Sequence, residues 1–488
     1  MFLMAWEAEA MTTMTVTLPR PAISATSARW LGLSAILAAI IMNLLDSTVV
    51  NVAAPSIRAD LGGSYSALQW IAAAYTLALA VGLLTGGRLG DMFGRRRMLL
   101  VGVAGFTLAS LACALAWSPG TLVTARVAQG LFAAVMIPQC FGLVRDLFPP
   151  QEMGKAFALF GPVIGLSTIL GPIVAGLLIQ ANVLGTQWRM IFLINVPLGI
   201  HAYLAGRRAL PRKASVSGPS RLDLVGVALA GIGMFLLVYP LVQKRAFVML
   251  AAAALVLGAF VRYQLRRKHS GQTPLVELSV FAKRSYSGGV LFVIVFFGSI
   301  VGFSLSVGLF LQLGLHYSVI RASLTMAAWA VGAFLGSGFA AVMMNRLGRR
   351  ILHIGLSLMA PGIAGVWLVL RGPGVDLHAW QLAIPLLVFG AGMGMIFVPL
   401  FDIIMGDIAD HEVGSASSSL EALQQMGASL GVAVLGTIFF GVAGLPMVAG
   451  SAVKAASVVA LITLALVGVA FGLAYLLPQR ASSTRMAH

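Results

Sequence analysis

Charge is scarce in this chain. Only 10% of its 488 residues are Asp, Glu, Lys or Arg, where soluble domains carry about 25%. Set beside 59% apolar residues and a mean hydropathy of +0.96, that shortage excludes a soluble globular protein, a disordered chain and a coiled coil. Acids are scarcer still: 15 Asp and Glu stand against 32 Lys and Arg, a formal charge of +17. In a soluble domain such an excess would point to nucleic acid. In an apolar chain, retention of basic loops on the cytoplasmic side of a membrane explains it first, and no nucleic-acid partner is expected.

Other shortages narrow the function. Cys113 and Cys140 are the only cysteines and both lie in apolar runs, so no disulfide or zinc framework is available. A Gly-rich phosphate loop ending in Lys-Ser/Thr is missing, and no loop is long enough for a nucleotide-binding domain, so ATP is not the direct driver through this chain. No nucleophile–base constellation appears. The chain is therefore expected to be no enzyme and to carry no metal or cofactor. The N-terminal MFLMAWEAEAMTTM has no basic region leading into an apolar run and a small-residue cleavage site, so no cleaved signal peptide is expected; Met11 and Met14 are alternative starts.

What is abundant is apolar sequence. A membrane helix needs about 20 apolar residues. Fourteen such segments run over 31–54, 68–86, 98–117, 121–144, 156–180, 188–206, 222–243, 246–261, 286–312, 322–344, 351–370, 380–402, 418–442 and 455–477. The pair within 222–261 is joined only by Gln243-Lys244-Arg245 and reads as one hairpin. With the N-terminus in the cytoplasm, 24 of the 32 Lys and Arg fall in inside loops and tails, seven fall outside or at an outer span end, and Arg126 alone lies deep within a span. That bias supports both the helix count and two cytoplasmic termini in a bacterial-type inner membrane.

A repeat is visible inside the chain. GRLGDMFGRRRML (Gly87–Leu99) follows the second span and NRLGRRIL (Asn345–Leu352) follows the tenth. A shift of 254 residues superposes Gly94-Arg95-Arg96 on Gly348-Arg349-Arg350 and Asp91 on Asn345. Recurrence of basic, Gly-rich loops by chance is the plain alternative. Agreement with the helix count favours two six-helix halves around two extra helices. The organisation is then a tail over 1–30, a half over 31–206, the extra helices and linkers over 207–285, a second half over 286–477 and a tail over 478–488. The expected fold class is an all-α polytopic membrane protein with fourteen transmembrane helices arranged as six, two and six.

Few residues inside the spans can carry chemistry. Asp46 lies in NLLDSTVVNVAAP, and an acid inside a span defaults to function because it is costly there. Lipid favours its uncharged form, which suits a group that takes up and releases a proton near neutral pH. Simple pairing to a neighbouring helix is the structural alternative. Arg126, in TARVAQG, is followed at i+3 by Gln129, with Cys140 on the same face. Asp46 lies about 12 Å from the outer end of its span and Arg126 about 7–8 Å, so a long Arg side chain can bridge the two depths. Snorkelling of Arg126 to the outer headgroups is the other reading.

Gating candidates come from the glycines. GPVIGLSTILGPIVAG in the fifth span holds two Gly-Pro pairs, Gly161-Pro162 and Gly171-Pro172. Small residues let helices approach closely and prolines kink them, which suits a hinge or a tight contact between halves. In the loop Gly87–Arg97, the residues Gly87, Asp91, Gly94, Arg95 and Arg96 combine turn chemistry with charge; the basic cluster also anchors the inside face. Glu421, in SSSLEALQQMG, either faces a cavity or lies at the interface. Trp70 and Tyr75 either stack on an aromatic or cationic ligand or serve belt and packing roles, and Asn43, Asn51 and Gln129 join them as cavity candidates. Asp402, Asp407, Asp410, His411 and Glu412 cluster before the thirteenth span, but their spacing fits no strong metal pattern and reads as a solvated loop.

Taken together these segments resemble the fourteen-helix drug:proton antiporters of the major facilitator superfamily, over nearly the whole chain. LLDSTVVNVAAP resembles the helix-1 motif of the fourteen-helix members, GRLGDMFGRRR the loop 2–3 motif, ARVAQG the helix-4 motif, and the Gly-Pro stretch the antiporter motif of exporters. WRMIFLINVPLG (Trp188–Gly199) and GSASSSLEALQQMGASLGVAVLG (Gly414–Gly436) are also similar to this family. The resemblance implies the major facilitator fold and proton-driven export by alternating access, with Asp46 and Arg126 in proton coupling and Asp91 and its basic neighbours in gating. The chain departs from the pattern at four places. Met92 stands where the loop usually has Arg, Asn345 replaces the acid in the repeat copy, and Glu421 stands where relatives commonly have Asn, which adds a second protonatable group. The glycine spacing before Gly171-Pro172 is wider than usual.

The expectation is a proton-coupled exporter of amphipathic small molecules such as drugs or antibiotics, sufficient as a monomer and surrounded by membrane lipids. Export of an endogenous metabolite or lipid is the nearest alternative. A non-transporting receptor or scaffold is a further one, disfavoured by Asp46 and Arg126 and by the lack of a sensory domain.

Overall fold

The computed structural model describes residues 25–149, 152, 156, 159–182, 185–211, 222–243, 248–272, 274–372, 377–408, 413–444 and 447–479. Among these residues all regular structure is helical. Thirteen helices are long and apolar enough to cross a membrane, and Phe160–Ala181 supplies a fourteenth. In chain order they are α1 (Ala25–Leu61), α2 (Tyr65–Phe93), α3 (Arg95–Ala114), α4 (Pro119–Leu147), α5 (Phe160–Ala181), α6 (Gln187–Ala209) and α7 (Leu224–Gln243). Then come α8 (Val248–His269), α9 (Arg284–Gly314), α10 (Val319–Leu347), α11 (Arg350–Arg371), α12 (Ala379–Ile404), α13 (Val413–Ala443) and α14 (Ala449–Ala474).

Each helix coincides with one of the fourteen apolar segments, and the differences sit at the ends. α1 runs past 54 to Leu61 and α8 past 261 to His269, because helical hydrogen bonding continues after the chain turns polar. α6 is not one uniform helix: a 3₁₀ turn at Gln187–Arg189 leads through Met190–Leu193 into Asn195–Ala209. The hairpin over 222–261 is α7 packed on α8.

The helices group by contact into two six-helix sets. In the first, α2 packs on α4, α3 on α4, α1 on α5, α1 on α6 and α3 on α6. In the second, α10 packs on α12, α11 on α12, α9 on α13, α9 on α14 and α11 on α14. Adding eight to each label of the first set gives the second. The contacts between the sets obey the same rule: α2 meets α13 and α10 meets α5. The short sequence repeat thus reports a symmetry of the whole packing. α7 lies over the α2–α13 seam and touches both halves.

Local chemistry repeats with the packing. Gly94 (φ 89°) breaks α2 from α3, and Gly348 (φ 49°), 254 residues on, breaks α10 from α11; left-handed backbone favours Gly at both turns. The following arginines cap sixth helices. Arg96 donates to the Arg207 carbonyl at the end of α6 (2.6 Å). Arg349 donates to the Tyr475 (2.9 Å) and Leu477 (2.7 Å) carbonyls just past α14. Carbonyls at a helix C-terminus have no intrahelical donor, and a cation there satisfies them. The end of the bundle carrying these loops is called the basic end below.

Candidate functional site

Asp46 belongs to α1 and points into the first half, where its side chain is fully buried. Arg126 of α4 meets it there: its Nη1 donates to Asp46 Oδ2 and its side chain is 1% exposed. The same Nη1 donates to Gln129 Oε1 (2.7 Å), and Nε donates to the Ile71 carbonyl of α2 (3.2 Å). The other carboxylate oxygen, Oδ1, accepts from Gln129 Nε2 (2.7 Å) and Asn195 Nδ2 of α6 (3.4 Å). Gln129 and Asn195 also donate to Ser110 Oγ of α3, at 2.8 and 3.3 Å.

The pair therefore draws on five helices. Its guanidinium lies 4.1 Å over the ring of Tyr75 and 5.8 Å from that of Phe192, cation–π contacts that add to the ion pair. Tyr75 in turn donates to Asn43 Oδ1 (2.7 Å). Burying one charge unpaired would be far costlier than burying both with their donors and acceptors matched. One polar atom stays unmatched: Asn195 Oδ1 is buried without a partner.

The cavity candidates separate. Gln129 and Tyr75 are fully buried and their polar groups are engaged within the half. Asn43 is half-buried beside them. The Asn51 side chain lies outside the described residues. Trp70 faces away from the pair, against Phe235 (5.8 Å) and Tyr239 (6.0 Å) of α7, on a cleft of about 570 Å³ between α2, α4 and α7.

The gating candidates fall at two places. At the basic end, Arg95 pairs with Asp91 (3.6 Å), one turn earlier, and with Asp146 of α4 (3.7 Å). So Met92 does not leave Asp91 unpaired: the partner comes from one turn on. Gly87 faces α13 across the seam, where an added Cβ would lie 3.5 Å from Ser418 Oγ. Along α5, a Cβ on Gly171 would overlap Thr48 of α1, two residues beyond Asp46, and one on Gly176 would come within 2.8 Å of Ser323 Oγ on α10. Pro172 lies in the helix between them. The side chains at Gly161 and Pro162 lie outside the described residues, as does that of Asn345.

Glu421 is half-buried on α13 and accepts no hydrogen bond or ion pair among the described residues. Of the acidic cluster, Asp402 is described, whereas Asp410, His411 and Glu412 and the Asp407 side chain are not. No group of three or more candidate metal ligands occurs among the described residues.

Two ionic clusters outside the spans fix the edges of the site. At the end opposite the basic one, Asp60 accepts from Arg189 Nη1 (2.6 Å) and Trp188 Nε1 (3.0 Å), and Arg189 also reaches the Ala116 carbonyl (3.2 Å). The Arg189 bond and then the Trp188 bond hold the Asp60 carboxyl below its usual range. At the basic end, burial pushes the Asp223 carboxyl up, but donors from Gln264, Gly226 N, Tyr263 and Arg267 outweigh it and hold the group low.

Sequence reasoning passed over Ser110, Asn195 and Asp146. Asn195 had a signal, a lone amide inside an apolar helix. Ser110 had none, since serines in membrane helices commonly bond their own backbone.

Comparison with known proteins agrees with this architecture. The family model of the Major Facilitator Superfamily matches residues 36–432. A probable actinorhodin transporter of Streptomyces coelicolor is 46% identical over 424 residues, covering 85% of this chain and 73% of that protein. A tetracenomycin C resistance and export protein of Streptomyces glaucescens is 33% identical over 418 residues, covering 84% and 76%. A crystal structure of a POT family transporter in complex with 5-aminolevulinic acid shares the fold, with a TM-score of 0.65 at 13% identity over 90% of this chain and 95% of that one. The chain is a membrane transporter and not an enzyme, and it belongs to the Major Facilitator Superfamily.

Proposed function

We propose that this protein is a proton-coupled exporter of amphipathic small molecules of the antibiotic class, working by alternating access in a bacterial cytoplasmic membrane with both termini inside. The Asp46–Arg126 pair carries the reading. It is a buried acid locked to a buried base, and a proton arriving at Asp46 removes the charge that holds Arg126 in place. Gln129, Asn195 and Tyr75 keep both groups satisfied while the charge changes. A relative named as a probable actinorhodin transporter and another named for tetracenomycin C resistance and export support the cargo class.

In this cycle the proton loosens the pair, the halves exchange access about the α2–α13 and α5–α10 seams, and proton release accompanies the return. Gly171 places α5 directly on α1 beside the pair, and Gly176 places it on α10, so a shift at Asp46 is felt at the seam. Asp91, Arg95 and Arg96 brace the basic end, and Glu421 is the second protonatable candidate. The cargo shifts the equilibrium only by binding one state better than the other. A monomer contains every residue used.

The test is Asp46→Asn in inverted vesicles. Dye or drug uptake driven by an imposed proton gradient is expected to collapse, while the variant, less stable because Arg126 keeps its charge without that of Asp46, is still correctly inserted and monodisperse. Undiminished proton-driven uptake by Asp46→Asn would refute the role. Quenching of the gradient by candidate compounds separates antibiotics from endogenous metabolites as cargo.

A further inference from the structure

α13 carries more polar side chains than its packing uses. Its contacts assign its faces at about 100° per residue. Gly427 and Gly431 lie on α9, beside the Ile294 and Gly298 carbonyls. Ser429 bonds to Thr76 and to the Ala73 carbonyl of α2 (3.4 Å), and Gly436 lies on Gln69 of the same helix. Thr437 donates to the Leu241 carbonyl of α7 (2.8 Å). The face left over, between those on α9 and α2 and opposite α7, holds Glu421, Gln424 and Ala428. It looks across the interior toward α4, where Glu421 lies within electrostatic reach of Cys140.

Two groups on this face want a donor. Gln424 Oε1 is buried with no hydrogen-bond partner. Glu421, one turn away at i−3, has a carboxylate that no donor reaches among the described residues. α13 itself contains no Lys, Arg or His. Arg126 is committed to Asp46, Gln129 and Ile71 and sits 14 residues, about 21 Å, along α4 from Cys140. Buried acceptors without donors are costly, most of all a carboxylate, and among the described residues no donor reaches either group.

We infer that Glu421 and Gln424 form the recognition site for a protonated amine on the cargo, the carboxylate taking its charge and the amide oxygen one N–H. The site is distinct from the Asp46–Arg126 pair: one acid is closed by its own arginine, the other is left open to a ligand cation. Charge-assisted hydrogen bonds of this kind are strong and directional, so a cation is preferred over a neutral analogue of the same shape. The inference deepens the exporter reading by naming the cargo's charge and rests on that reading only for the word cargo.

A matched pair of probes tests it by equilibrium binding to the purified full chain in detergent, with no gradient present. Dansylcadaverine carries a primary ammonium; its N-acetyl derivative keeps the dye and spacer but is neutral. The wild type is expected to bind dansylcadaverine at least tenfold tighter than the N-acetyl derivative. Glu421→Gln is expected to erase that preference, Glu421→Asp to retain part of it, and Gln424→Leu to cut it several-fold while leaving the neutral probe's affinity in place. Equal binding of the two probes by the wild type, no binding of either, or an unchanged preference in Glu421→Gln overturns the proposal. If Glu421→Gln does not fold, an unchanged preference in Gln424→Leu overturns it. Failure here leaves the Asp46→Asn efflux test untouched, and failure there leaves this binding result standing, so the two readings fall separately.

Discussion

Arg126 reaches Asp46 at a point where neither side chain meets solvent, with exposures of 1% and 0%. Such a pair is asymmetric in its energetics. Removing one partner strands a buried charge and costs about 3–5 kcal/mol, whereas replacing both with apolar groups of similar size is often neutral. Arg126→Leu is therefore expected to lower the unfolding temperature in detergent sharply. Asp46→Leu combined with Arg126→Leu is expected to recover most of that loss. A double variant no more stable than Arg126→Leu would show that the two residues are not energetically linked.

Gln129 is expected to matter almost as much. It accepts from Arg126 and donates to both Asp46 and Ser110, so one side chain closes the network between α3, α4 and α1. Gln129→Leu leaves several buried groups short of partners, at about 1–3 kcal/mol for each unsatisfied one. Ser110→Ala removes only an acceptor shared by Gln129 and Asn195 and is expected to cost less. The ranking is read from thermal unfolding of the two variants side by side, and a greater loss for Ser110→Ala would contradict it.

Glycine at the helix crossings is expected to be irreplaceable for steric reasons. A Cβ on Gly86 of α2 would overlap the Ala134 carbonyl of α4, and one on Gly336 of α10 would overlap the Ala391 carbonyl of α12. These are equivalent crossings in the two halves. Backbone cannot yield as a flexible side chain can, so Gly86→Ala and Gly336→Ala should each cost about 1–3 kcal/mol and reduce the monodisperse yield. Gly468→Ala is the control, since a Cβ there meets nothing within 4 Å. Equal yields for all three would show that α2–α4 and α10–α12 are looser than described.

How much of this was legible in the sequence follows from which forces leave a local mark. Fourteen spans could be read because lipid demands a long apolar run from every helix regardless of its neighbours. The two halves could be read because Gly94 and Gly348 are needed at the same left-handed turn. The Asp46–Arg126 pairing was accessible because two buried charges of opposite sign at similar depth have few other solutions. Ser110 and Asn195 were not, because which serine or amide reaches a carboxylate depends on helix rotation, and membrane helices apolar on all sides give little periodic signal of facing. Trp70 shows the same limit: its depth was known, but only packing places it against Phe235 and Tyr239 of α7 rather than beside Tyr75.

Asp60 provides a pH-dependent prediction outside the membrane. Its carboxyl is held below the ordinary value of 3.8 by bonds from Arg189 and Trp188, and these tie the end of α1 to the start of α6 and, through the Ala116 carbonyl, to the end of α3. A carboxyl lowered in the folded state adds stability that is fully present above its unfolded value and is lost as pH falls through the folded one. Wild type is therefore expected to unfold at a higher temperature than Asp60→Asn at pH 7. The gap is expected to hold down to about pH 5 and to close progressively below 3.8. The Arg189 and Asp60 side chains are 30% and 35% exposed, so the gap is small. Melting curves of both proteins from pH 7 to pH 3, at low and high salt, measure it. A gap that widens on acidification would mean that Asp60 is stabilised in its protonated form, and the bond pattern described here would be wrong.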